Sequence, residues 1–185
     1  MYANFSTKQD NIPMKFPFKF PKLTAQQAMY EAQKIAFSPM TFQAVRIAWK
    51  RGLLQLLSDT SEGLTPNQVA EKIDMRLYGV RVVLESCLSV GVVEFENEKY
   101  FITKTGRMFL YDEMTQINMN YNHDVNYLGM FYLEESIDSA TPVGLNKTFG
   151  EWPTIYPALT SLPEPAKTSW FEFDHYYSDN AFPIV

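Results

Sequence analysis

The chain has 185 residues, 46% apolar, 15% aromatic and 20% charged, with a formal charge of −5. That balance excludes a disordered or collagen-like chain and suffices for one substantial core, with or without an appendage. No apolar run approaches the ~20 residues that span a bilayer. A single cysteine, Cys87, excludes an internal disulfide, so a reducing, cytoplasmic setting with no membrane partner is the expectation.

Residues 1–23 read as an extended Phe/Pro arm. Pro13, Pro17 and Pro21 favour extended backbone. Lys15, Lys19 and Lys22 interleave with Phe16, Phe18 and Phe20, which leaves no apolar signal-peptide core. Such an arm either docks on a surface or is a disordered terminus, and its phenylalanines favour docking. Thr24 then caps a predicted Ala-rich helix to about Phe37. Pro39 ends it or separates it from a second helix over about Thr41–Leu57. There Val45, Trp49, Leu53, Leu56 and Leu57 form an apolar stripe, with Arg46, Lys50 and Arg51 on the other side.

The stretch from Thr65 to Ile102 has the order of a winged helix. Thr65-Pro66-Asn67-Gln68 is a capping box with proline at the first helical position. Leu77 to Val90 places Val80, Val83, Leu84, Cys87 and Leu88 on one helical face, and Gly91 suits the left-handed residue beyond it. Val92–Phe95 and Lys99–Ile102 flank Glu96-Asn97-Glu98 as a hairpin, the wing. Thr105 is expected to cap a short helix through Leu110. Further on, Asp124 is expected to cap a helix with Val125, Leu128, Tyr132, Leu133 and Ile137 inward. Residues 139–150 read as a loop, 151–165 as short proline-broken pieces, and the chain ends in a helix bearing Ala166, Trp170, Phe173 and Tyr177. The fold class is mainly α, with a small β-hairpin wing and additional C-terminal helices.

A winged helix suggests DNA binding, which requires a basic face to displace counterions. Residues 1–41 carry a net charge of +3, 42–112 are neutral and 113–185 carry −8. The third helix and wing offer Arg76, Arg81 and Lys99 against Glu85, Glu94, Glu96 and Glu98, so no nucleic-acid partner is expected. Catalytic signals are equally sparse. No two of the eight glycines lie closer than six residues, so no glycine-rich loop approaches a cofactor phosphate or adenosine. His123-Asp124 and Asp174-His175 are adjacent pairs without metal-ligand spacing, and adjacent helical residues do not face each other. Cys87 on a buried stripe reads as a core residue. The aromatic and methionine residues after position 113 exceed what a small helical core needs. They build a core, the wall of an apolar pocket or a subunit interface.

The order of these parts resembles the N-terminal half of small-molecule S-adenosylmethionine-dependent O-methyltransferases. The landmarks are Leu64-Thr65-Pro66-Asn67-Gln68-Val69-Ala70, Leu77 to Gly91, Tyr100-Phe101-Ile102-Thr103 and Thr105-Gly106. Next come Leu133-Glu134-Glu135-Ser136-Ile137, Pro142-Val143-Gly144, Phe149-Gly150 and Trp170 to Asp179. The resemblance covers most of residues 24–182. It implies a winged-helix dimerisation domain over 24–185 whose later helices cap a substrate pocket, in a homodimer. It implies S-adenosylmethionine for a full-length parent and no cofactor, metal or catalytic residue in this chain, which stops about where the linker to the cofactor domain would begin. Among the resembling segments, Asn126, Met130, Phe131 and Phe173 are the candidate substrate-lining residues, chosen by side-chain type. The alternative is a winged-helix transcription regulator whose residues 113–185 dimerise or sense a ligand.

Overall fold

The structure, a computed structural model, describes residues 22–181. Nearly all of the Phe/Pro arm lies outside these residues. The chain divides into two units after Ala36. The first contains helix α1 (Ala25–Ala36), started by a reciprocal cap in which the Gln27 N–H donates to Thr24 Oγ1 at 3.2 Å and the Thr24 N–H donates to Gln27 Oε1 at 2.9 Å. No residue of α1 is buried.

The second unit opens with α2 (Ser38–Lys50), in which Pro39 occupies the first turn. A proline here sacrifices no helical hydrogen bond, because the first N–H groups are unpaired in any case. The expected helix over Thr41–Leu57 is therefore longer at its start. It is also divided: Gly52 adopts φ 77° and separates α2 from α3 (Leu53–Ser58). The left-handed backbone turns the chain so that Leu53, Leu54 and Leu57 become fully buried.

α4 (Pro66–Lys72) starts from the expected capping box, and α5 (Leu77–Ser89) buries Val80, Val83, Leu84 and Cys87. β1 (Val93–Glu96) pairs antiparallel with β2 (Lys99–Ile102) through Val93↔Ile102, Glu94↔Phe101, Phe95↔Tyr100 and Glu96↔Lys99. Asn97 and Glu98 both take positive φ, as a tight two-residue hairpin requires. Leu64 adds a bridge to Tyr100. α2 packs on α5, and these elements close a core of Val45, Ala48, Leu53, Leu54, Val69 and Leu84, among others.

α6 (Lys104–Tyr111) is capped by Thr103, whose hydroxyl accepts from the Gly106 N–H at 3.1 Å, and not by Thr105 as expected. α7 (Glu113–Tyr121) follows, with Asp112 as its cap. The chain then continues through a π-helical turn (Asn122–Asn126) and a 3-10 turn (Gly129–Tyr132) into α8 (Leu133–Ser139). Asp124 therefore caps nothing; it sits inside the π turn. Of the expected inner face only Val125 is buried, and Leu128, Leu133 and Ile137 are exposed. Residues 139–150, expected as a loop, contain α9 (Val143–Phe149). α10 (Ile155–Ala158) and a 3-10 turn precede α11 (Ala166–Ala181). A second core of Val125, Ala158, Leu162, Ala166 and Trp170 lies under these pieces.

α9 helix formation has a steric cause. Gly144 meets Gly129 backbone to backbone: a Cβ on Gly144 would stand 2.4 Å from the Gly129 carbonyl oxygen. Position 144 therefore has to be glycine, while a Cβ at Gly129 would meet Gly144 at 3.3 Å; the close approach sets α9 against the 3-10 turn. Gly144→Ala is expected to lower unfolding free energy by about 1–3 kcal/mol through overpacking. Gly52→Ala, with open space around its Cβ but φ 77°, costs only about 1 kcal/mol from backbone strain. Urea titration of both variants checks the order; equal losses would remove the close contact as the cause.

Candidate functional site

Two apolar cavities adjoin the helical segment from Tyr121 to Leu133. The first, about 500 Å³, is bounded by Tyr121, Val125, Asn126, Gly129, Met130 and Leu133 on that segment, and by residues of α8, α9 and α10 opposite. The second, about 490 Å³, lies between Ser38, Pro39 and Phe42 of α2 and Asn122, Tyr127, Met130 and Phe131. Each is in the range of small-molecule sites. Tyr127 braces the second by stacking on Phe42 (centroids 5.4 Å apart) and donating its hydroxyl hydrogen to the Pro39 carbonyl at 2.5 Å.

The residues singled out from sequence converge only in part. Asn126 and Met130 line the first cavity, and Met130 and Phe131 the second. Phe173, on α11, stacks on Tyr121 with centroids 3.9 Å apart and planes 12° from parallel. It thereby backs a ring that lines the first cavity. Ser136 also borders that cavity; its hydroxyl donates to the Tyr132 carbonyl at 2.9 Å and accepts from the Gly144 N–H at 3.4 Å.

Behind the segment lies a polar cluster that periodicity could not reveal. The Asp124 side chain is 6% exposed. Its Oδ2 accepts from the Ser169 hydroxyl at 2.6 Å, His123 Nδ1 stands 2.7 Å from its Oδ1, and the Arg46 guanidinium is 3.6 Å away. Burial pushes the Asp124 carboxyl up, but the hydrogen bonds from Ser169 and His123, with the charges of His123 and Arg46, outweigh it and hold the carboxyl below its ordinary value. Ser169 is itself 4% exposed. Beside this cluster, burial foremost, then the Arg46 charge, lowers the Lys50 ammonium below its usual range; Asp124 and Glu172 pull the other way. The ammonium lies 3.9 Å from the centre of the Trp49 ring. Arg46 was legible only as a cation opposite an apolar stripe. The available signal for Asp124 was its place between His123 and the apolar Val125 in an otherwise uncharged run.

The other candidate chemical groups lie apart from this cluster. Burial pushes the Cys87 thiol up to about 12, far from a reactive thiolate. His175 is exposed and 3.9 Å from Asp179, four residues on, as a surface pair. Among the described residues no group of His, Cys, Asp and Glu is arranged to hold a metal ion, and no helix is long and apolar enough to cross a membrane.

Asp124→Ala is expected to destabilise the chain by about 2–3 kcal/mol, because it strands the Arg46 charge and the Ser169 hydroxyl. Asp124→Asn keeps an acceptor and costs less. With the folded carboxyl below the ordinary 3.8, its contribution is complete above about pH 5 and is lost as pH falls through 3.8 and the lower folded value. Denaturation from pH 2 to 7 should show the gap between wild type and D124N closing with acid. A gap independent of pH would contradict this assignment.

Residues 29–100 match the Dimerisation2-like domain family. The fold matches several solved structures. One is the S-adenosylmethionine-dependent methyltransferase SibL, with 17% identity, TM-score 0.69, and 82% of this chain aligned to 45% of that one. The mitomycin 7-O-methyltransferase MmcR has 15% identity and TM-score 0.63, with 82% of this chain aligned to 44% of that one. Human N-acetylserotonin methyltransferase has 19% identity and TM-score 0.59, with 88% aligned to 51%. The chain thus spans about half the length of these structures. No curated protein matches it significantly by sequence. Residues 29–100 thus resemble the Dimerisation2-like domain family, and most of the chain shares its fold with about half of each of these methyltransferase structures.

Proposed function

We propose that this chain is the dimerisation and substrate-capping half of an O-methyltransferase-like protein that transfers a methyl group from S-adenosylmethionine to a small-molecule hydroxyl. The observation that carries this reading is apolar surface in a domain of the dimerisation type. In the second unit Leu128 is 70% and Ile137 69% exposed. Within α1, Met29, Tyr30 and Ile35 are exposed on a helix that buries nothing. Large apolar side chains in such numbers are characteristic of association surfaces. The partner of first choice is a second copy of the chain, which makes a homodimer.

The cavities supply the capping role. Asn126, Met130, Phe131 and Phe173 act as wall and support for an acceptor, with Asn126 and Ser136 as the polar groups that orient it. An apolar wall of this kind excludes water from a reacting hydroxyl and fixes its approach. The described residues do not themselves fit the methyl donor: their sheet has two strands, and their glycines serve turns and a helix contact. The donor would be held by a cofactor domain outside residues 22–181, and no methyl-transfer step is assigned to this chain's side chains.

The regulator alternative draws no support from α5. Its outward positions Tyr78, Val82 and Glu85 accompany a single cation there, Arg81, and the wing tip adds Glu96 and Glu98. Such a face does not attract phosphates.

Sedimentation velocity should find a dimer at micromolar concentration. The double variant Leu128→Glu/Ile137→Glu should weaken it at least about 100-fold, the effect of charging the centre of an interface. A strict monomer at high micromolar concentration would sink the dimer. Binding of random duplex DNA, weakened by added salt, would favour the regulator.

A further inference from the structure

The two cavities share one residue. Tyr121, Val125, Asn126, Gly129 and Leu133 border the first and Asn122, Tyr127 and Phe131 the second, while Met130 borders both. The wall between them is a row at helical spacing: Asn122, Asn126 and Met130. Its lower part is polar and tied, because the Asn126 Nδ2 donates to Asn122 Oδ1 at 3.4 Å. Its upper part is an unbranched thioether with three rotatable bonds, on a side chain that is 47% exposed. A tied amide pair holds its place; a half-exposed methionine can swing or be cut away.

The linings on the two sides differ. The first cavity combines aliphatic side chains and two glycines with the rings of Tyr121 and Phe149, and has Asn126 and Ser136 as hydrogen-bonding groups. The second is bounded by flat rings: Phe42 stacked on Tyr127 at 17° between planes, with Phe131 at its edge. A hydroxyl-bearing ring suits the first, and a further aryl ring in line with it suits the second.

We propose that Met130 is a flexible partition between two compartments of one elongated site, and that it sets how many rings in line the acceptor can carry. This deepens the capping role above and rests on it. With Met130 in place, a two-ring hydroxyarene occupies the first compartment and a third ring is turned back at the thioether. Removing the thioether joins the compartments into one slot of roughly twice the volume.

The test uses the full chain with two probes, 2-naphthol and the in-line 6-phenyl-2-naphthol, and reads dissociation constants by calorimetry. Wild type should prefer 2-naphthol. Met130→Ala should raise the affinity for the longer probe relative to 2-naphthol at least about tenfold, the scale of admitting one ring to an apolar pocket. Met130→Phe, which fills the passage, should lower the affinity for the longer probe relative to 2-naphthol; it also serves if the alanine variant does not fold. Probe constants that change in parallel, or wild type binding both probes equally, would overturn the partition while leaving the capping pocket in place. A changed dimer constant with unchanged probe preference would assign the second cavity to the subunit interface and overturn it as well. No binding of either probe by any form would overturn both the partition and the pocket.

Discussion

The second unit depends on one buried carboxylate. It has two hydrophobic cores, one among the winged-helix elements and one under the C-terminal pieces. Asp124 lies where they meet. Arg46 reaches it from α2, whose Val45 and Ala48 belong to the first core, and Ser169 reaches it from α11, whose Ala166 and Trp170 belong to the second. Apolar contact is non-directional and leaves two cores free to slide against each other. A hydrogen bond from Ser169 on α11 and an ion pair from Arg46 on α2, both to one carboxylate, fix a single register. The rings that form and support the cavity, Tyr121 and Phe173, stand on α7, which leads into the turn holding Asp124, and on α11, which carries Ser169.

The winged-helix shape does not by itself require a DNA-reading surface. Its hydrophobic periodicity is spent inward, on Val80, Val83, Leu84 and Cys87, and that packing is indifferent to what the outer face carries. A DNA reader adds cations outside; this chain places its most useful cation, Arg46, inside against Asp124. A fold of this kind is a scaffold, and function on it is argued from particular sites and not from the shape.

Legibility in the sequence followed the range of the interactions involved. The Thr65 capping box, the buried face of α5, Gly91 and the hairpin rest on contacts a few residues apart, and their residues announce them. The division of α2 from α3 depended on one backbone angle at Gly52, which a glycine allows without requiring. α9 was invisible because it is held by Gly129, fifteen positions earlier, and both glycines read locally as breakers. Asp124 was taken for a cap because its side chain fits that role equally well when Arg46 and Ser169 are unknown. Leu128, Leu133 and Ile137 share one face only at uniform α-helical spacing; the π and 3-10 turns shift the phase, so Leu133 borders the first cavity while Leu128 and Ile137 form an outward face.

That face and the cavity wall are two sides of one stretch of chain. Between Tyr121 and Ile137, Tyr121, Val125 and Asn126 turn toward the first cavity while Leu128 and Ile137 turn outward. The stretch passes through π, 3-10 and α geometry between Asn122 and Ser139. The irregularity is what lets it serve both sides. A continuous α-helix presents one stripe about 100° wide, whereas a π turn followed by a 3-10 turn shifts the phase of the side chains and points apolar groups in opposed directions. The Gly129–Gly144 contact supports the inner side where the phase changes, and the Asp124 tie anchors the start. A segment of uniform helix with the same composition would have to bury one of these faces at the expense of the other.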